Sequence, residues 1–145
     1  SWSEKLPELS GGDKLHLVEC GGTIKYQNDK LVCTARTIIV SMDAGPMLRY
    51  FARQQALSVV HLWDAPDVVL DYLMGDDTAW AAARAAAYGV ASSEDWYSQR
   101  GAAAVFAAAG VWAAGAAAAA AGAAARAGAR EQFNNLVYEA FEDWL

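Results

Sequence analysis

The sequence predicts an α+β protein, a small N-terminal antiparallel β-meander packed on a C-terminal alanine-rich helical bundle, in one domain over residues 1–145. Three observations lead there. Between Ala79 and Ala129, 27 of 51 residues are alanine, the strongest helix former because it loses no side-chain entropy on becoming helical. Residues 14–35 instead carry short apolar runs broken by Gly21-Gly22 and Asn28-Asp29, the pattern of strands joined by turns. A chain of 145 residues also suits a single body with its own core.

In chain order, Ser10-Gly11-Gly12-Asp13 closes a loose N-terminal arm. Strands are expected near 14–20, 23–27 and 30–35. Turning about Asn28-Asp29 sets Cys33 opposite Ile24 and leaves Cys20 on the first strand, so the two thiols are expected not to meet. Thr37–Met42 is β-branched yet precedes a turn, Asp43-Ala44-Gly45-Pro46, and fits a short helix and a fourth strand equally. From Pro46 to about Trp63 the apolar residues run nearly all round a helical wheel, with Arg49 and Arg53 as its one polar edge. Such a helix is buried, and it is the expected centre of the core.

Asp64 is placed to cap a helix over Ala65–Met74, with Pro66 in its first turn, Asp67 favouring the dipole and Gly75 ending it. Asp76 or Asp77 caps the next, from Thr78 to about Tyr88, with Trp80, Arg84 and Tyr88 on one side. Ser92-Ser93-Glu94-Asp95 starts another helix in the manner of a capping box, running toward Gly110. Val111–Ala127 is its return. In the last helix Phe133, Leu136, Val137, Ala140, Phe141 and Trp144 form an apolar stripe opposite Glu131, Asn135, Glu139 and Glu142. Gly128 either kinks this helix or separates it from its predecessor. Alanine helices gain stability only by close approach, so Gly101, Gly110, Gly115, Gly122 and Gly128 are read as points of backbone contact.

Net charge is −6, and its placement narrows the functional classes. Residues 61–99 hold seven acids (Asp64, Asp67, Asp71, Asp76, Asp77, Glu94, Asp95) against Arg84 alone. A second acidic block lies in residues 131–145. Direct nucleic-acid binding needs a basic footprint and is disfavoured. An acidic patch that competes for a basic partner is the converse. Gly101–Ala125 is uncharged and long enough to span a bilayer, but 21 of its 25 residues are Ala or Gly, whereas insertion rewards Leu, Ile, Phe and Val. No membrane segment is expected. Ser1–Lys5 lacks an apolar signal-peptide core, and two cysteines make no disulfide scaffold, so a cytoplasmic setting in a bacterial host, with reduced thiols, is expected.

Chemistry-bearing motifs are scarce. Asp64, Asp67 and Asp71 share a helical face, but helix-capping duties and the lack of an alternating oxygen-ligand loop argue against a cation site. Cys20 and Cys33 sit at no apparent helix N-terminus, no nucleophile elbow or phosphate loop occurs, and His16 and His61 are isolated. No cofactor, metal or catalytic residue is assigned, and an enzyme is not expected.

One resemblance bears on function. The run Leu48-Arg49-Tyr50-Phe51-Ala52-Arg53-Gln54, the segment Asp64–Gly75 (DAPDVVLDYLMG) and the Ala-Trp-Ala-Ala-Ala-Arg-Ala-Ala-Ala stretch at 79–87 resemble alanine-rich immunity proteins of bacterial toxin systems and their phage-borne relatives, over roughly residues 46–145. The N-terminal strands depart from that pattern. What the resemblance implies is neutralisation of a protein partner. The expected function is then a non-enzymatic inhibitor, an immunity protein or a phage anti-CRISPR-type protein. Its acidic surface would mimic nucleic acid and occupy a basic, nucleic-acid-binding site on its target. A small enzyme with a site near Asp64–Asp77, or a structural helper in a larger assembly, are the competing classes.

Overall fold

In the computed structural model, which describes residues 13–28, 30–91, 95–110, 113–124 and 128–145, the α+β class holds. The expected meander is a single hairpin. Strands β1 (Lys14–Tyr26) and β2 (Leu31–Asp43) pair antiparallel from Lys14 opposite Asp43 to Tyr26 opposite Leu31. Thr37–Met42 belongs to β2. Gly21-Gly22 is not a turn but part of a bulge, in which Gly22 and Thr23 together face Thr34. Gly22 adopts a left-handed φ of 70°, which glycine tolerates without steric cost, and the Thr23 N–H donates to Thr34 Oγ1 at 3.0 Å. A strand therefore continues through two glycines that read as its end.

As expected, Ile24 pairs with Cys33, while Cys20 faces Arg36. Both cysteines are free thiols and half-buried.

Only the base of the hairpin joins the core, through Leu15, Leu17, Val40 and Met42. Farther out, Tyr26, Val32, Ile38 and Ile39 are exposed. Asp43 turns the chain into the helices by accepting from the Gly45 N–H at 2.8 Å. Helix α1 (Gly45–Leu57) follows, with proline in its first turn. It packs against α2 (Asp67–Met74), α4 (Trp96–Ala108), α5 (Ala113–Ala124) and α6 (Ala129–Phe141), the central position its apolar circumference predicts. The helix stops six residues short of Trp63. The Ser58 hydroxyl donates back to the Gln55 carbonyl at 2.6 Å, and the chain tightens into a 3-10 turn at Val60–Leu62. Gln55 is fully buried and donates through Nε2 to Gln132 Oε1 on α6 at 2.8 Å, while Phe51 meets Phe133 edge-on at 5.4 Å.

Helix α2 begins two residues later than expected because Pro66 is extended (ψ 152°), so Asp64 lies outside the helix and caps nothing there. Asp76 caps the 3-10 turn that leads into α3 (Trp80–Ala91). Asp95 caps α4 by accepting from the Ser98 N–H. Ser92, Ser93 and Glu94 of the expected capping box lie outside the described residues. The break at Gly110 separates α4 from α5, and Gly128, with φ 82°, stands immediately before α6 as its N-cap. Of the last helix's stripe, Leu136, Ala140 and Phe141 are buried, whereas Trp144 is exposed. Among the described residues no helix is long and apolar enough to cross a membrane.

The core has few large members. Its largest fully buried side chains are Tyr72, Leu73, Gln55, Val69 and Val105, and alanines fill most of the rest. Close approach is measurable at one glycine. A Cβ on Gly101 would lie 2.6 Å from Trp63 Cδ1 and 2.8 Å from the Val59 carbonyl oxygen, whereas one on Gly122 or Gly89 would meet nothing within 4 Å. The expected contact role is thus right for Gly101 and wrong for Gly122 and Gly128, where a Cβ would meet nothing within 4 Å. Gly101→Ala should destabilise by about 1–3 kcal/mol through overpacking, despite alanine's better propensity. Gly122→Ala should instead stabilise by about 0.5–1 kcal/mol. Denaturant midpoints of the two variants check both signs.

Candidate partner-binding surface

The acidic surface is positioned by contacts beneath it. A helix ends with carbonyls that have no partner within the helix, and α4, poor in large side chains, offers those carbonyls as its anchor points. Tyr72 of α2 donates its hydroxyl to the Ala108 carbonyl at 3.0 Å, fully buried. From α3, Trp80 Nε1 and Arg84 Nη1 both donate to the Ala109 carbonyl, at 2.7 and 3.0 Å. Arg49 of α1 reaches the Gly110 carbonyl at 3.1 Å. Three helices thus converge on one C-terminus, and two of the four donors are cations, which also suit the negative end of the helix dipole. The Arg84 guanidinium lies 4.1 Å from the centroid of Phe106, and Tyr88 tilts against the same ring at 5.6 Å. The Trp80, Arg84, Tyr88 side read from spacing is therefore the α3–α4 interface. Farther on, Arg100 treats α5 likewise, donating to the Ala123 and Ala124 carbonyls.

Arg49 and Arg53 are not a solvated edge. The side chain of Arg53 is 12% exposed, stacks over Tyr72 with 4.4 Å to the centroid, and pairs with Asp77. With Arg49, Tyr72, Asp77 and Trp80 it lines a cleft of about 320 Å³. Its two cations are engaged by internal carbonyls and by Asp77, so the cleft joins helices.

The predicted partner-binding residues divide accordingly. Asp64, Asp67, Asp71, Asp76, Asp77 and Asp95 are all exposed, and Glu94 lies outside the described residues. Asp67 and Asp71 share the outer face of α2 with Leu70, 39% exposed, and Met74, 77% exposed. The spacing i, i+3, i+4, i+7 makes these four one continuous stripe, while Val69, Tyr72 and Leu73 point inward. Leu70 and Met74 were not singled out from sequence. Their signal was available: they are the apolar residues of α2 that fall on the side of its aspartates. Asp76 and Asp77 follow directly but have structural partners. Asp76 Oδ1 accepts from the Thr78 hydroxyl at 2.6 Å and the Thr78 N–H at 2.9 Å, and these bonds, the hydroxyl's first, hold its carboxyl below the usual aspartate range. Among the described residues no group of three or more His, Cys, Asp or Glu is placed to hold a metal ion.

Two outcomes follow. Tyr72→Phe leaves the Ala108 carbonyl buried without its donor and should cost about 1–2 kcal/mol in chemical denaturation, although only one oxygen is lost. Because the folded state depresses the Asp76 carboxyl, its contribution to stability is present above the ordinary aspartate value of about 3.9 and disappears as pH falls through the lower folded value. Asp76→Ala should therefore be less stable than the parent at pH 7, with the difference closing in strong acid; a thermal-melt series across pH measures it.

No family model matches the chain, and no curated protein or solved structure matches it.

Proposed function

We propose that the protein works without catalysis, by binding a protein partner through the outer face of α2. The observation that carries this reading is the stripe Asp67, Leu70, Asp71, Met74: two carboxylates alternating with two exposed apolar side chains on one rigid helix. Exposed charges alone steer association but bind weakly, while desolvated apolar anchors supply most of the binding free energy. Met74 adapts its shape readily to a partner surface. Asp64, Asp76 and Asp77 extend the negative potential at either end of the helix.

Chemistry of this kind fits a Lys/Arg-rich groove, such as the nucleic-acid-binding site of a toxin or defence complex. The carboxylates would take the place of phosphates there. The inhibitor reading suggested by the resemblance to immunity and anti-CRISPR-type proteins is compatible with it, and the bacterial cytoplasm would be its setting. Asp77 is a poor probe because its loss would also strip Arg53 of its partner. The informative variants are Asp67→Asn with Asp71→Asn, and separately Leu70→Ser with Met74→Ser.

In pull-downs from bacterial lysate followed by titration of the captured protein, the aspartate pair should weaken binding at least tenfold at low salt and flatten its salt dependence. The apolar pair should weaken binding at every salt concentration. Full-strength binding by both variants across the salt series would refute the proposal.

A further inference from the structure

The side of the hairpin turned away from the helices displays groups that the fold itself does not use. Leu17 packs on the core and pairs with Val40, so the next residue, Val18, points to the opposite side together with its partner Ile38. From Ile38 to Val32 strand β2 carries no extra residue, and alternation keeps Ile38, Arg36, Thr34 and Val32 on this outer side. Lys25 pairs with Val32 and joins them, whereas Glu19 pairs with Thr37 on the inner side. Val32 is 45% exposed and Ile38 58%, and Lys25 and Arg36 are exposed as well. Across the strands the two cations face Val32 and Cys20, not carboxylates.

Two cations interspersed with two exposed apolar side chains are the counterpart, with the sign reversed, of the stripe Asp67, Leu70, Asp71, Met74 on α2. We propose that the outer hairpin face of one copy of the chain docks on the α2 stripe of a second copy. The proposal rests on the reading of that stripe as a binding surface and names what occupies it when no target is present.

Charge complementarity selects this occupant. With a net charge of −6, two copies repel as wholes and attract only where a basic surface of one meets an acidic surface of the other. Arg49, Arg53, Arg84 and Arg100 are turned to internal carbonyls, rings and Asp77, whereas Lys25 and Arg36 are displayed. Both stripes lie exposed in the single copy, so each finds its match in another. Val32 and Ile38 against Leu70 and Met74 supply the desolvated contacts, and the four charges supply register and salt dependence. The hairpin gains too: a two-stranded ribbon is at best marginally stable in water by itself, and only its base is packed on the helices. A target and a second copy use the same stripe and exclude each other, so self-association covers Leu70 and Met74 until a tighter partner displaces the copy by mass action.

The test is sedimentation velocity on the purified full chain, over a concentration series at low and high salt, with no target added. The parent chain should associate as concentration rises, and high salt should weaken the association severalfold. Lys25→Glu with Arg36→Glu, and separately Asp67→Lys with Asp71→Lys, should each raise the dissociation constant at least tenfold, because like charges then meet. Mixed together, the two variants should associate with each other, since each offers the charge that the other has lost; misfolded variants would not recover in this way. A parent chain that stays monomeric, whatever else its hairpin cations take up (vesicles of anionic lipid or duplex DNA), would overturn the proposal. So would a mixture that associates no better than either variant alone. Target capture reads the α2 stripe separately, so absent self-association with capture intact removes this inference and leaves the partner-binding function standing.

Discussion

Everything in the helical body depends on how helices with almost no side chains are held in register. Alanine faces allow close approach but give few interlocking shapes, so packing alone leaves their mutual sliding weakly specified. The fold answers at the C-terminus of α4. There Tyr72, Trp80, Arg84 and Arg49 each donate to one of the three carbonyls of Ala108, Ala109 and Gly110. These bonds are directional and mostly shielded from water, and they fix α1, α2 and α3 on α4 at once. Gly101 sets the spacing on the other side, where nothing larger fits between α4 and the Val59–Trp63 segment.

This arrangement also shapes the outer surface. Arg49, Arg53, Arg84 and Arg100 are directed at carbonyls, rings and Asp77. The carboxylates of residues 64–77 remain at solvent. A formal charge count treats both as equal, but the cations are committed inside and the anions are displayed outside. The acidic character of α2 is thus a consequence of how the helices are anchored. The same anchoring turns Val69, Tyr72 and Leu73 inward and leaves Leu70 and Met74 at the surface.

Much of this was legible in the sequence, for physical reasons that differ by element. Composition gave the helices and their breaks at Gly75 and Gly110, and a cap was recognisable at Asp76 or Asp77, of which Asp76 fills the role. Spacing placed Trp80, Arg84 and Tyr88 on one side. What spacing could not say is that their partners are main-chain carbonyls, since every residue offers one and no pattern marks which are orphaned. The glycines misled in the hairpin because Gly21-Gly22 suits a turn and a bulge equally well, and the choice rests on strand pairing to β2, a long-range matter. The exposed aspartates on and around α2 were found by charge counting. Leu70 and Met74 escaped because an exposed apolar residue and a core residue look the same until the helix face is known.

The central claim is that carbonyl capping at the end of α4, rather than alanine packing, holds α1, α2 and α3 on α4. Native-state hydrogen exchange on an Arg49→Met, Arg84→Met double variant tests it most directly. Both changes keep an apolar stem and remove the donors, and with Arg84 the guanidinium over the Phe106 ring. The account predicts that amides of α1, α3 and α4 lose protection by a larger factor than those of α6 and the base of the hairpin, revealing a local opening where those three helices meet. Protection that is unchanged, or that falls by the same factor throughout the chain, would contradict it.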